Sequence, residues 1–287
     1  MKLTNKIIAL IAAAGTALSA ATFLPDAGTD KPARGEMTEK SDGAAGRTDV
    51  TAAAPGSGRA IELPGRMKGT PERIIRHTGY TLSYNREHNA PNWVAWELTK
   101  AETEGTLPRA NDFLPDPDVP EPHRVTTSEY TGSGYDRGHM APAADMKWSS
   151  RAMSECFYMS NICPQNHALN SGAWATLEKA CRRWAAREGA VYIVCGPVYK
   201  DKRRKKIGRT LRITVPDGFF KVVLCLNSGR EKAIGFYYAN RSGRQDMDRA
   251  ARSVDEIEEL TGIDFFVNLP DRQEAALESA YSLKLWQ

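Results

Sequence analysis

Apolar and polar positions divide the chain into three regimes. Ile7 to Leu24 is almost wholly apolar or small; it comes after two lysines, Lys2 and Lys6, and no acidic residue precedes Asp26. That pattern marks residues 1–24 as a secretory signal peptide or an N-terminal anchor, since the run is just long enough to span a bilayer. A small-residue cleavage region is offered by Ala17-Leu18-Ser19-Ala20-Ala21, and no cysteine lies near it to take a lipid. Either reading exports the remainder of the chain, to the periplasm, the cell surface or the medium. From Pro25 to Pro64 the chain turns to Gly, Ala, Thr, Ser, Pro and mixed charges, with few large apolar residues. Such a stretch cannot bury enough surface to offset its ordering entropy, so residues 25–64 are expected to form a disordered linker.

Residues 65–287 carry the third regime, in which strand and helix patterns alternate over a length sufficient for one large core. Tyr80 to Tyr84 and Pro91 to Leu98 read as strands, as does Val191 to Cys195, which Gly196-Pro197 is expected to end. Phe219 to Leu226 and Ala233 to Tyr238 read as neighbouring central strands. Ala173 to Arg187 has helical character, and Ser253 to Thr261 is a short helix with Ser253 as N-cap and Glu256 completing a capping box. The expectation is an α+β domain with a mainly antiparallel central sheet flanked by helices.

Charge sharpens this picture only locally. The formal net charge is +4, from 39 Lys and Arg against 35 Asp and Glu. Yet Lys200-Asp201-Lys202-Arg203-Arg204-Lys205-Lys206 and Arg209 concentrate positive charge in one loop. A loop of that kind attracts phosphate backbones without reading sequence, and Arg203, Arg204 and Lys205 are its candidate substrate contacts; the competing reading is a solvated face. The five cysteines, Cys156, Cys163, Cys181, Cys195 and Cys225, permit one or two disulfides in an exported domain, while Cys195 and Cys225 sit in apolar strand patterns that suit small buried side chains.

Candidate chemistry centres on Tyr135-Asp136-Arg137-Gly138-His139-Met140. His139 is the side-chain type whose unperturbed pKa lies close to neutrality, which suits a general base. Arg137 offers a fork of donors for a phosphate, or alternatively an ion pair to Asp136. Downstream, Asn170, Trp174 and Glu178 fall at i, i+4 and i+8 if a helix begins near Asn170 or Ser171, so one helical face carries an amide oxygen and a carboxylate. Both are hard oxygen ligands, and Mg2+ keeps most of its waters while binding few protein groups directly.

The stretch from Tyr135 to Glu178, with Phe157-Tyr158-Met159-Ser160-Asn161-Ile162-Cys163-Pro164-Gln165-Asn166 inside it, resembles the DNA/RNA non-specific endonuclease family, the endonuclease G-like branch of the ββα-metal nucleases. The likeness extends over roughly Gly79 to Asp271, including Gly196-Pro197-Val198-Tyr199 and Ser253 to Gly262. It implies a ββα-metal catalytic motif and a nuclease of DNA and RNA with little sequence preference. His139 is then the general base, Asn170 the direct ligand of Mg2+, with Mn2+ as a substitute, and Glu178 reaches the metal through water. Products should carry 5′-phosphate and 3′-hydroxyl ends, and activity should fall on acidification as His139 protonates. Arg109, in Pro108-Arg109-Ala110-Asn111-Asp112-Phe113, resembles the family's upstream transition-state arginine; a solvated surface arginine is the competing reading. Asn161 matches a position near the catalytic histidine, with an orienting or phosphate-contacting role set against that of a buried turn-forming asparagine. Asp136 is expected to support the site through hydrogen bonds. A homodimer is allowed as well as a monomer. Two other functions stay open: a catalytically silent nucleic-acid-binding or surface-interaction module on the same fold, and a nuclease toxin with a separate inhibitor protein.

Overall fold

The computed structural model describes residues 60–200 and 204–287. The signal or anchor segment and most of the linker lie outside the described residues, as does Arg203. In chain order the strands are β1 (Arg73–Arg76), β2 (Thr81–Asn85), β3 (Ala90–Thr99), β4 (Asp136–His139), β5 (Ile162–Gln165), β6 (Ala190–Val198), β7 (Lys206–Ile207), β8 (Ile213–Thr214), β9 (Gly218–Cys225), β10 (Lys232–Ala239) and β11 (Ala251–Arg252). The helices are α1 (Lys100–Thr103), α2 (Ser150–Glu155), α3 (Ala175–Glu188), α4 (Met247–Ala250), α5 (Val254–Thr261) and α6 (Asp271–Glu278).

Seven strands form one antiparallel sheet in the order β1-β2-β3-β6-β9-β10-β11. Strand periodicity sends alternate side chains to opposite faces, and both faces are covered. Val94, Trp96, Leu98, Ile193, Phe219 and Val223 join the core with α3, through Leu177, Cys181 and Trp184. Trp93, Ala95, Val194, Phe220, Val222 and Leu224 join a second core with α5, through Val254 and Ile257. Burial on both sides explains why β9 reads as a continuous apolar run rather than an alternating one.

Two expectations need correction. Gly196-Pro197 does not end the strand, because β6 continues to Val198 with Gly196 opposite Phe220 and Pro197 opposite Phe219. Pairing with β3 stops at Cys195, opposite Val94, so Pro197 sits where β6 is hydrogen-bonded on one side alone and needs no donor on the other. The ordered domain also begins before Gly65: Ile61 and Leu63 pack against the α5 core, and Ala60 O accepts from Asn268 Nδ2 at 2.8 Å.

The central helix starts later than its apolar pattern suggests. A wider π-type turn, Leu169–Trp174, precedes α3, with Gly172 at non-helical φ −105° and ψ −105°. Gly189, at φ 94°, then ends the helix. The capping box on α5 forms as the sequence predicts: Ser253 Oγ accepts from Glu256 N at 3.1 Å, and Glu256 Oε2 accepts from Ser253 N at 2.8 Å. All five cysteines are free and buried, so the permitted disulfides do not form. Ser253→Ala should cost about 1 kcal/mol of stability through loss of this cap, measured as a lower midpoint at unchanged slope in urea unfolding.

Candidate active site

Strands β4 and β5 pair antiparallel away from the main sheet, and the Leu169–Trp174 turn and α3 come directly after them. Two strands and a helix thus gather the candidate residues within one short stretch of chain. The hairpin is unusually close. A Cβ on Gly138 would lie 2.6 Å from Gln165 Cβ and 2.2 Å from its Oε1, so only glycine lets β4 approach here. Asn240 holds the far end of the hairpin, donating from Nδ2 to Pro164 O and Pro216 O at 3.0 Å each and accepting from Asn166 N at 2.7 Å.

Arg137 and His139 alternate along β4 and so share a face. The His139 ring centre lies 5.3 Å from that of Phe113 and 4.8 Å from that of Phe157, edge-on to the latter. The Arg137 guanidinium covers Phe113 at 4.2 Å and the Arg109 guanidinium covers Phe157 at 4.9 Å. Two aromatic rings therefore bracket the imidazole and carry one arginine each. Arg109, loosely placed by sequence, is brought to the site.

This bracket sets the protonation of His139, which is 8% exposed and whose Nε2 has no hydrogen-bond partner. Burial, then the positive charges of Arg109 and Arg137, push its pKa down to about 3. The imidazole is thus neutral well below the ordinary histidine range, which moves the expected loss of activity on acidification to lower pH.

Asn170 donates from Nδ2 to Asp136 Oδ2 at 2.9 Å, and His167 Nδ1 lies 2.9 Å from the same oxygen. With its nitrogen engaged, the amide presents Oδ1 as a free acceptor. Phe113, Tyr130, Tyr135, Asp136, Arg137 and Asn170 line an open cavity of about 400 Å³. Lys205 reaches its rim, with Nζ 4.7 Å from the Tyr135 ring. Arg204 does not: it covers Tyr199 at 5.2 Å, donates to Tyr199 O at 3.3 Å and lines a separate cavity beside His88.

Glu178 is half-buried on α3, and burial, with Asp145 acting in the same direction, raises its pKa to about 7. Lys221, Arg182 and Arg109 oppose that rise. Arg109 therefore acts electrostatically on both His139 and Glu178, linking the two sides of the site. Beneath it, Arg182 Nη1 donates to buried Asp145 at 2.7 Å, and Lys221, only 1% exposed, places Nζ within 4.9 Å of the Trp96 ring centre and 4.7 Å of that of Trp174. Sequence reasoning misses Lys221; its one signal is a charge on the α3-facing parity of an otherwise apolar strand.

Asn161 cannot contact a phosphate. It is fully buried, its Oδ1 accepts from Ala141 N at 2.9 Å, and its Nδ2 donates to Ala141 O at 2.9 Å and Cys156 O at 2.8 Å. Its backbone oxygen also accepts from Met140 N at 3.0 Å, so it pins the chain leaving His139. His77, Asp116 and Asp118 form a potential metal group, but Asp116 is already occupied: Oδ2 pairs with His77 Nε2 at 3.0 Å and accepts from Ser160, and Oδ1 accepts from Asp118 N at 2.8 Å.

Comparison with known proteins agrees with this geometry. The family model described as DNA/RNA non-specific endonuclease matches residues 61–272. The chain belongs to the DNA/RNA non-specific endonuclease family. It is 36% identical over 226 residues to a nuclease of Nostoc sp., covering 74% of this chain and 80% of that protein. It is 34% identical over 225 residues to the mitochondrial nuclease EXOG of Mus musculus, covering 71% of this chain and 59% of that protein. The chain thus spans about three fifths of the length of such EXOG relatives. A chain in the crystal structure of the EndoG/EndoGI complex superposes with a TM-score of 0.68 at 27% identity, covering 76% of this chain and 96% of that one. Among the described residues, no helix is long and apolar enough to cross a membrane.

Gly138→Ala should destabilise the domain by about 1–3 kcal/mol, because β4 and β5 must separate; chemical denaturation reads the loss directly. Acid should also destabilise it. An unfolded histidine protonates near 6.5, whereas folded His139 stays neutral to about 3, and His88, lowered by burial to about 4, behaves similarly. Stability on their account is full above pH 6.5 and falls progressively below it. His139→Phe should show a shallower decline in Tm over that interval than the unsubstituted chain.

Proposed function

We propose that this family member is an exported, divalent-metal-dependent endonuclease that hydrolyses phosphodiester bonds of DNA and RNA with little sequence preference. The observation that carries this reading is the unpartnered Nε2 of a neutral His139 held beside two arginines, close in the chain to an asparagine whose amide orientation is fixed. His139 takes a proton from water, which attacks phosphorus in line with the departing 3′ oxygen. Arg137, and Arg109 behind it, attract the phosphate and stabilise charge gathering on its oxygens.

Asn170 suits a hard cation because its nitrogen is held by Asp136 and its Oδ1 is free. Asn170 would hold Mg2+, or Mn2+, directly, and Glu178 would hold it through water. When bound, the ion supplies charge stabilisation at the phosphate and at the leaving oxygen. Asp136 orients Asn170, Asn161 fixes the chain after His139, and the buried Asp145, Arg182 and Lys221 set the charge around Glu178. Lys205 at the rim supports a backbone contact independent of base identity. The basic start and apolar run of residues 1–24 support export, to the periplasm, cell surface or medium.

The experiment is degradation of plasmid DNA and of a structured RNA by the purified chain, with Mg2+, with chelator, and with His139→Ala in parallel. Both substrates should be cut only with metal, and the substitution should lower turnover by about 10²–10⁴-fold while leaving substrate binding in place. DNA binding without cleavage under Mg2+ or Mn2+ would replace the enzyme with a silent binding module. Asp136→Ala should raise the Mg2+ concentration for half-maximal activity about 10–100-fold, because Asn170 loses its orienting partner.

A further inference from the structure

The side of the sheet opposite α3 carries a second concentration of chemistry. Asp255 and Glu258 lie three residues apart on α5 and so share a face, and Glu278 stands in the last turn of α6. One carboxylate oxygen from each lies within 4.8 Å of those of the other two. Glu258 Oε1 is engaged by Phe265 N at 2.7 Å. Glu278 differs, because it is 5% exposed and its Oε1 has no hydrogen-bond partner.

Leaving that oxygen bare and charged is costly. The charged groups acting most on Glu278 are all acidic, namely Glu258, Glu274, Asp255 and Asp264. Its position at the carboxyl end of α6 adds the unfavourable end of the helix dipole. Burial and these neighbours push its pKa up to about 9, and burial chiefly pushes that of Glu258 up to about 7. Among the described residues, the groups that act most on Glu278 supply no countercharge.

The geometry points to a divalent-cation site, of the calcium class, formed by Asp255, Glu258 and Glu278 between α5 and α6. Ca2+ takes roughly six to eight oxygens at roughly 2.3–2.6 Å in flexible geometry, so it can gather carboxylates from two helices and complete its shell with water, whereas Mg2+ demands a tighter, near-octahedral set. Carboxylates, water and a flexible ligand number suit Ca2+ without further protein donors. The ion joins the C-terminal helix to α5, and with it the second core. Glu278 lies beyond residue 272, where the match to the family model ends, so the site is not part of what that match covers. Its role is structural, on the face of the sheet away from His139.

Calorimetric titration of the chelator-treated full chain with CaCl2, paired with thermal unfolding, tests this. Asn170→Ala is the background throughout, so that the candidate active site contributes no Ca2+ signal. One saturable binding event is expected, with Tm rising by about 5–10 °C when Ca2+ stands about a hundredfold above Kd. Adding Glu278→Gln, which keeps the side-chain shape and removes the carboxylate that would ligate the ion, should abolish both the heat and the shift. Asp255→Asn, on the exposed side of the cluster, provides a second variant and should do the same. No saturable binding in the background protein overturns the site, as does an undiminished Ca2+ shift in either added variant. A Tm that responds to pH but not to Ca2+ would equally overturn it, in favour of a proton shared among the carboxylates.

Discussion

Asp136 Oδ2 ties the strand that carries the candidate base to the turn that carries the candidate metal ligand. It accepts from Asn170 Nδ2 and lies at the same 2.9 Å from His167 Nδ1, joining β4 to residues 34 and 31 positions later. Without it, the Asn170 amide could rotate and present nitrogen where a cation needs oxygen. The rest of the site serves to keep that contact in register. Gly138 permits the close β4–β5 approach, Asn161 holds the chain leaving β4, and Asn240 anchors the hairpin to the loop after β10. Three asparagines thus do different work: two have their polar atoms engaged by backbone, and Asn170 keeps an oxygen in reserve.

A second constraint is electrostatic. The imidazole is enclosed by Phe113 and Phe157, and each ring also carries an arginine, so the surroundings that disfavour His139 protonation also favour phosphate. Desolvation and positive charge act together, whereas either alone would shift the base less. On the other side, Glu178 keeps cationic company through Lys221, Arg182 and Arg109. The site separates a histidine held neutral from a carboxylate whose pKa burial raises to about 7 against the cations beneath it.

Much of this is legible along the chain because it is local. Ser253 and Glu256 form a capping box through contacts three residues apart, and the β9 and β10 patterns identify paired strands without knowledge of their neighbours. The Asp-Arg-Gly-His stretch and the Asn170 to Glu178 spacing likewise stand out. What escapes depends on distant parts of the chain. Arg109 reaches the site only through Phe157, 48 positions later, and Lys221 acquires its meaning from Trp96 and Trp174 on other elements. Pro197 reads as a strand end until β3 is seen to stop pairing before it. The wide turn around Gly172 breaks the regular helical register between Asn170 and Glu178, so the single face expected from i, i+4 and i+8 on one continuous helix does not form there. Asn161 carries no mark in sequence that separates a saturated buried amide from a ligand-facing one.

The most direct test of a water-activating His139 is the chemistry of the product ends, with cleavage run in 18O-enriched water and the fragments analysed by mass spectrometry. Attack by water in line with the 3′ oxygen predicts one solvent oxygen in every new 5′-phosphate and an unlabelled 3′-hydroxyl opposite it. New 3′-phosphate or cyclic phosphate ends, or 5′-phosphates without the label, would contradict the account.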